Sequence, residues 1–211
     1  MKYYKYPRTY HLPWSPGVSE DDETISDIRI FRDCEVVVTE KMDGENCTMY
    51  RDNIHARSLD SRHHWTRDWV KSFHGTIAHN IPENFRVCGE NVYAKHSVGY
   101  DNLETYFYGF SVWNEDTCLS WDDTLEYFSL LGITPVKVLY RGTFSMQALI
   151  NVQKQLDFNV TEGYVMRKVG SFKLNDFKNN VSKFVRKNHV QTDQHWMYDS
   201  NIEPNKLANN V

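Results

Sequence analysis

Six short runs of β-branched and aromatic residues limit what this chain can fold into more than any other feature of its sequence. They are CEVVVTEK (34–41), ENCTMYR (45–51), FRVCGENVY (85–93), TYFYGFSVW (105–113), PVKVLY (135–140) and EGYVMRKV (162–169), several of them bounded by Gly, Pro or Asp-Asn pairs. Each reads as a strand. Some follow one another across short turns while helical segments fall between groups, which predicts an α+β fold on antiparallel sheet rather than a regular βαβ array.

Three segments read as helices. In WTRDWVKSFHGTIAHNI the residues Trp65, Trp69, Phe73, Ile77 and Ile81 recur every four positions and form one apolar stripe. In SWDDTLEYFSLLG, Ser120 is placed as N-cap, acids fill the first turn and Gly132 stands where a C-terminal cap belongs. A third helix is expected over 144–156. With 211 residues, 40% of them hydrophobic, the chain can bury one substantial core but not two. The expectation is a single domain over 1–211, with an N-terminal extension to about residue 33, an irregular tail over about 190–211 and no room for an OB-fold domain.

Composition narrows the function classes. No run of 18 apolar residues is present and the start, MKYYKYPRTY, lacks a secretory core, so a cytoplasmic protein without membrane contact is expected. The cysteines Cys34, Cys47, Cys88 and Cys118 form no CxxC pair and read as small buried hydrophobes. The net charge of −4 argues against binding nucleic acid by bulk charge, but the charge is unevenly spread. Glu20, Asp21, Asp22, Glu23 and Asp27 crowd one segment, whereas Lys168, Lys173, Lys178, Lys183, Arg186 and Lys187 face only Asp176 in another, so a local basic face is available.

The segment TEKMDGEN sets Lys41 at the end of a strand, two residues before an Asp-Gly turn. Alone, this string also suits an ordinary hairpin. Arg57 reads equally as a surface arginine or as a planar fork for phosphate oxygens. Glu90 lies in an otherwise apolar strand and needs a partner, which could be Arg86 or Arg57. Tyr106, Tyr108 and Phe110 share one strand face, whether as core or as a platform for a base.

Taken in order, KMDG (41–44), HARS (55–58), CGEN (88–91), FYGFSVW (107–113), EGYVMR (162–167) and SKFVRK (182–187) resemble the motifs of the covalent nucleotidyltransferase superfamily, which comprises polynucleotide ligases and mRNA capping enzymes. The run GENCTMYRDNIHARSLDSRHHWTRDWVK and the later KFVRKNHVQTDQHW further resemble RNA ligases of bacteria and phages. That resemblance implies a self-adenylylating ATP-dependent RNA ligase, which passes AMP from Lys41 to a 5′-phosphate and seals it to a 3′-hydroxyl. It implies ATP and Mg²⁺ as cofactors and RNA as partner, either a nicked duplex or a broken loop, for a chain expected to be a monomer.

The resemblance also implies roles. Lys41 is the nucleophile; Glu40, Arg57, Glu90, Phe110, Glu162 and Lys183 bind the nucleotide. Glu162 holds the metal, and Lys183 and Arg57 serve the chemistry at the phosphate. Asn46, Arg62 and Lys187 touch the polynucleotide, with Arg67 also on that face, although Asn46 reads equally as a turn cap. The last motif departs from the usual Lys-x-Lys, because its third position is Val185. If the segment is extended, Lys183 and Lys187 share a face, and Lys187 is the expected substitute. A GTP-using capping enzyme, a small DNA ligase or a non-catalytic binding module are the rival readings.

Overall fold

Three consecutive valines, Val36, Val37 and Val38, are all completely buried. Side chains alternate along a strand, so this requires cover on both faces. The computed structural model, which describes residues 2–60, 62–187 and 202–208, shows how that cover is built. In chain order the strands are β1 (Tyr10–His11), β2 (Glu35–Lys41), β3 (Glu45–Met49), β4 (Ile54–Ala56), β5 (Phe85–Asn91) and β6 (Phe107–Asn114). They continue with β7 (Thr117–Cys118), β8 (Thr134–Pro135), β9 (Val138–Thr143), β10 (Gly163–Lys168), β11 (Phe172–Lys173) and β12 (Val181–Val185). The α-helices are α1 (Asp68–Ile77), α2 (Trp121–Leu131) and α3 (Met146–Gln155).

One sheet runs in the order β1-β12-β10-β2-β9 and the other β11-β7-β6-β5-β3-β4, with β8 added beside β6. Pairing is antiparallel except for the two-residue strands β1 and β8. Val37 and Trp121 meet Val92, Tyr108 and Phe110 between the sheets, while Val36 and Val38 pack outward with Leu149 and Val152 of α3. The outer face of the second sheet, through Cys47, Val87, Phe107 and Val112, is covered by α1 and α2. The α+β antiparallel class is therefore as expected, as is the burial of Cys47, Cys88 and Cys118, whereas Cys34 is only half-buried. No helix among the described residues is long and apolar enough to cross a membrane.

Local differences have physical causes. The run PVKVLY is divided: Thr134–Pro135 pairs with β6, and the chain crosses to the first sheet only at Val138. Trp65 is 46% exposed, because 65–67 is a 3-10 turn and the helical period that aligns Trp69, Phe73 and Ile77 starts only at Asp68. Ser120 and Gly132 cap α2 as expected; Ser120 Oγ accepts from the Asp123 amide at 3.1 Å and Gly132 has φ 66°. Of the tail expected to be irregular, 190–201 and 209–211 lie outside the described residues, as does all of the RNA-ligase-like run beyond Lys187. Residues 202–208 are tied down: Asn205 is 3% exposed and its amide donates to the Val92 carbonyl at 2.8 Å.

At Gly163 the backbones of β10 and β12 come so close that a Cβ would sit 1.9 Å from the Phe184 carbonyl oxygen. No rotamer relieves a clash with backbone. Gly163→Ala should therefore lower stability by about 1–3 kcal/mol, the usual cost of overpacking. Urea unfolding of the two proteins checks this, and equal midpoints would show that β12 yields without cost.

Candidate active site

Strand register carries Lys41 to its neighbours. The last residue of β2 pairs with Gly163, which brings the Lys41 ammonium against the side chain of Glu162 just ahead of β10. Lys41 Nζ and Glu162 Oε2 are 2.5 Å apart, and the two side chains are 24% and 6% exposed. Burial pulls the Lys41 amine down, but the charges of Glu162 and Glu90 outweigh it and hold its pKa above the usual lysine value. In this state Lys41 is an ammonium. The turn behind it is fixed by Asp43, whose carboxylate accepts from Ser97 Oγ at 2.7 Å and from the Val98 amide at 2.6 Å. The Asp43 amide donates to Tyr100 Oη at 2.8 Å, and the Tyr100 amide donates in turn to Asn205 Oδ1 at 2.8 Å.

Lys41 lines a cavity of about 260 Å³ together with Glu40, Asn46, Arg57, Glu90, Phe110 and Lys183. Six short motifs scattered over the sequence thus converge on one place, with Glu162 bonded to Lys41 at its edge. Glu90 and Asn46 face each other across β5 and β3. Burial pushes the Glu90 carboxyl up to about 8, with Lys41 opposing and Glu162 adding to the rise. Arg86 is not its partner, because that guanidinium lies over the Tyr4 and Trp113 rings and donates to the Glu115 carbonyl. Asn46 Oδ1 is a buried acceptor with no hydrogen bond. Arg57, just past β4, makes no ion pair among the described residues.

Phe110 owes its direction to an irregularity. Cys88 pairs with Ser111 and Gly89 with Gly109, so Phe110 is an extra residue on β6 with nothing opposite it. Such a bulge turns the strand and re-aims its side chains. Phe110 and the next residue, Ser111, consequently both line the cavity, which strict alternation forbids. Tyr108 does not line it.

The other end of the cavity was not foreseen. Tyr6, Pro7, Arg8, Thr9, Asp21 and Asp22, all from the N-terminal extension, form part of its wall. The Tyr6 ring stands edge-on to Phe110, with centroids 5.2 Å apart. Asp22 Oδ1 is 3.3 Å from Lys183 Nζ. Lys183 itself has a pKa below the usual lysine value, through burial, against which Asp22 works, and through the neighbouring charge of Lys41. The sequence signal for this end is the acidic run 20–27, whose charge alone does not say which carboxylates turn inward.

Three expected contacts are not brought here. Arg62 lines a separate cavity of about 70 Å³ with Arg67, Lys71 and His55. Arg67 is already committed, because its Nε donates to Glu45 Oε2 at 2.6 Å and the pair is nearly buried. Lys187 is exposed and lies in a turn, because β12 ends at Val185 and the alternation that would align it with Lys183 stops there. Val185 is 1% exposed core. Arg186, not Lys187, reaches back towards the nucleophile turn, with Nη2 3.4 Å from the Ser97 carbonyl. The basic face is also partly neutralised, since Lys173 pairs with Asp116.

Solved structures with this fold include a protein described as an ATP-dependent DNA ligase from Aquifex aeolicus, with TM-score 0.59 and 18% identity, covering 87% of this chain and 50% of that one. An archaeal ATP-dependent RNA ligase gives TM-score 0.54 at 16% identity, covering 86% and 48%. A lysine-to-alanine mutant of Naegleria gruberi RNA ligase, solved with ATP and Mn, gives 0.51 at 16%, covering 88% and 61%. This chain thus spans between 48% and 61% of the length of those structures. No curated protein sequence matches it. The fold is the nucleotidyltransferase domain of the ATP-dependent ligases. Within that class the chain belongs to the RNA ligase family, which it matches over residues 34–185.

The raised Glu90 pKa has a consequence for stability. Between its ordinary value of 4.5 and about 8 the folded chain holds a proton on Glu90 that the unfolded chain has released, so this group costs stability as pH rises through that window. Glu90→Gln should remove the cost, and the melting temperature of the variant relative to the parent should rise from pH 5 to pH 8. A constant difference would mean that Glu90 titrates normally.

Proposed function

We propose that this chain is an ATP-dependent RNA ligase that adenylylates itself on Lys41, transfers the AMP to an RNA 5′-phosphate and joins that end to a 3′-hydroxyl, acting as a single adenylyltransferase domain. The observation that carries this reading is the Lys41 ammonium inside a cavity that also holds Lys183, Arg57, Glu90 and Phe110. Membership of the RNA ligase family supports RNA as the polymer.

The residues divide the work by charge. Phe110 offers a ring face for adenine, held at the cavity by the bulge in β6. Asn46 Oδ1, lacking a donor, and Glu90 opposite it suit the hydroxyl groups of ribose. Lys183 and Arg57 place positive charge where the α-phosphate becomes more negative as the reaction proceeds. The Lys41 nitrogen attacks α-phosphorus, a P–N bond forms and the bond to pyrophosphate breaks. For this the amine must first lose its proton. Withdrawing Glu162 from Lys41 removes the largest of the attractions that oppose burial and so shifts the amine towards its neutral form.

Glu162 is a hard oxygen donor suited to Mg²⁺. Among the described residues no three His, Cys, Asp or Glu side chains converge as a metal site, so the cation would share Glu162 with the phosphates of the nucleotide. When bound, it supplies positive charge beside those phosphates. DNA is the second reading, because the Aquifex aeolicus protein has the highest TM-score of the three structures compared.

Labelled ATP with Mg²⁺ should add one AMP per chain to Lys41, through an acid-labile bond, and labelled GTP should not. Lys41→Arg preserves a cation beside Glu162 but cannot be deprotonated, so it should fold and take up no AMP. AMP on that variant would sink the assignment. Offering 5′-phosphorylated RNA and DNA, as single strands and as nicked duplexes, to the adenylylated protein then distinguishes the two polymers.

A further expectation concerns the base. Phe110→Ala should weaken ATP binding by about 1–3 kcal/mol, the range measured for bases stacked on aromatic side chains. Titration calorimetry reads this directly. Normal affinity in Phe110→Ala would place the adenine elsewhere in the cavity.

A further inference from the structure

The acidic run at 20–27 takes no part in the chemistry above, and it precedes the 34–185 segment that matches the family. Two of its members, Asp21 and Asp22, nevertheless line the cavity, and Asp22 meets a cation there. Asp22 Oδ2 accepts from Ser19 Oγ at 2.8 Å and from the Ser19 amide at 3.3 Å, and lies 3.3 Å from His11 Nε2. The second oxygen, Oδ1, meets the Lys183 ammonium at 3.3 Å. His11 is itself anchored: it is completely buried, stands beside Lys183 in the β1/β12 pairing, and has Nδ1 2.7 Å from Ser15 Oγ. The carboxylate is therefore fixed before it meets the lysine, and its geometry does not depend on Lys183.

Lys183 needs such a partner. Its side chain is long and flexible, it is only 18% exposed, and a second ammonium, that of Lys41, shares the cavity. Like charges in one cavity drive a flexible cation away, unless an opposite charge of fixed position holds it. Glu162 also attracts it, but that carboxylate is hydrogen-bonded to Lys41 at 2.5 Å, whereas Asp22 is the carboxylate hydrogen-bonded to Lys183. We propose that Asp22 is a positioning residue for Lys183, and that the N-terminal segment thereby completes the phosphate end of the site. Asp22 makes no contact with the reacting atoms; it sets where the Lys183 charge stands when α-phosphorus is attacked. This rests on the reading of Lys183 as the cation that serves the α-phosphate. The negative charge of Asp22 also opposes the burial and the Lys41 repulsion that pull the Lys183 amine towards its neutral form.

The test uses the full chain with ATP and Mg²⁺, measuring the rate of covalent AMP uptake at saturating ATP and the ATP concentration that gives half that rate. Asp22→Asn keeps the shape and removes the charge. It should slow the saturated rate on the order of 10- to 100-fold, the cost of misplacing a catalytic group by about 1 Å, while half-saturation stays near the parent value. Asp22→Glu, which restores the charge, should recover most of the rate. In a Lys183→Met background, where residual uptake is slow, Asp22→Asn should cause no further loss, because the group through which it acts is gone. An undiminished rate in Asp22→Asn overturns the proposal. So does an equal loss in Asp22→Asn and Asp22→Glu accompanied by a fall in melting temperature, which is what a purely structural role produces. Should Asp22→Asn fail to fold, Ser19→Ala, which removes one of the bonds that fix the carboxylate, should still slow uptake without altering half-saturation; a parental rate there counts against the proposal. Failure of the parent protein to take up AMP sinks the ligase reading and this inference together, whereas uptake by the parent and by Asp22→Asn alike sinks this inference alone.

Discussion

A mostly buried ammonium and carboxylate, Lys41 and Glu162, join the ends of two adjacent strands, and the cavity is organised around that pair. Either group alone at this depth would be expensive, because neither finds enough water to solvate its charge. Together they are tolerable: the carboxylate holds the ammonium charged, while burial keeps the Glu162 carboxyl above its usual value even though Lys41 opposes it. A second carboxyl, Glu90, is buried beside the same pair; burial holds its proton, Lys41 only partly opposes this and Glu162 adds to it. At rest the site is thus short of positive charge near Lys41. Four further cations, Arg8, Arg57, Arg167 and Lys183, line the same cavity.

Most of the architecture was legible because local rules and tertiary structure agree. The valine run of β2 and the Ser120 and Gly132 caps of α2 each have a single sensible reading. The convergence of Lys41, Arg57, Glu90, Phe110 and Lys183 was legible only through the order of their motifs, since these residues are separated by as much as two thirds of the chain and no periodicity links them. What stayed hidden depends on where a strand stops. Lys187 was placed by alternation, and alternation ends with the β12 ladder at Val185. The split of PVKVLY between two sheets is a similar case. No local pattern announces that a chain leaves one sheet for the other at a proline.

The flanks of the chain were harder still, because their importance comes from long-range contacts of polar side chains. Asp22 at one end and Asn205 at the other look like ordinary surface residues in sequence. In the fold, Asp22 reaches Lys183 and Asn205 supports Tyr100, whose hydroxyl holds the turn that carries Lys41. The cavity is therefore braced from both flanks, at Lys183 by Asp22 and at the Lys41 turn by Asn205. Neither brace belongs to the strands that form the floor of the cavity.

The bulge at Phe110 bears on how such a site could be gained or lost. Because Phe110 is supernumerary on β6, removing one residue there would restore an unbroken ladder between Cys88–Ser111 and Gly89–Gly109, with the packing of Val112 and Phe107 against the helices unchanged. A deletion that usually wrecks a sheet would here regularise it. The ring that faces the cavity is thus carried by a residue the β5–β6 ladder does not need, so that the register of the sheet and the presence of that ring are separable at this position by a single codon.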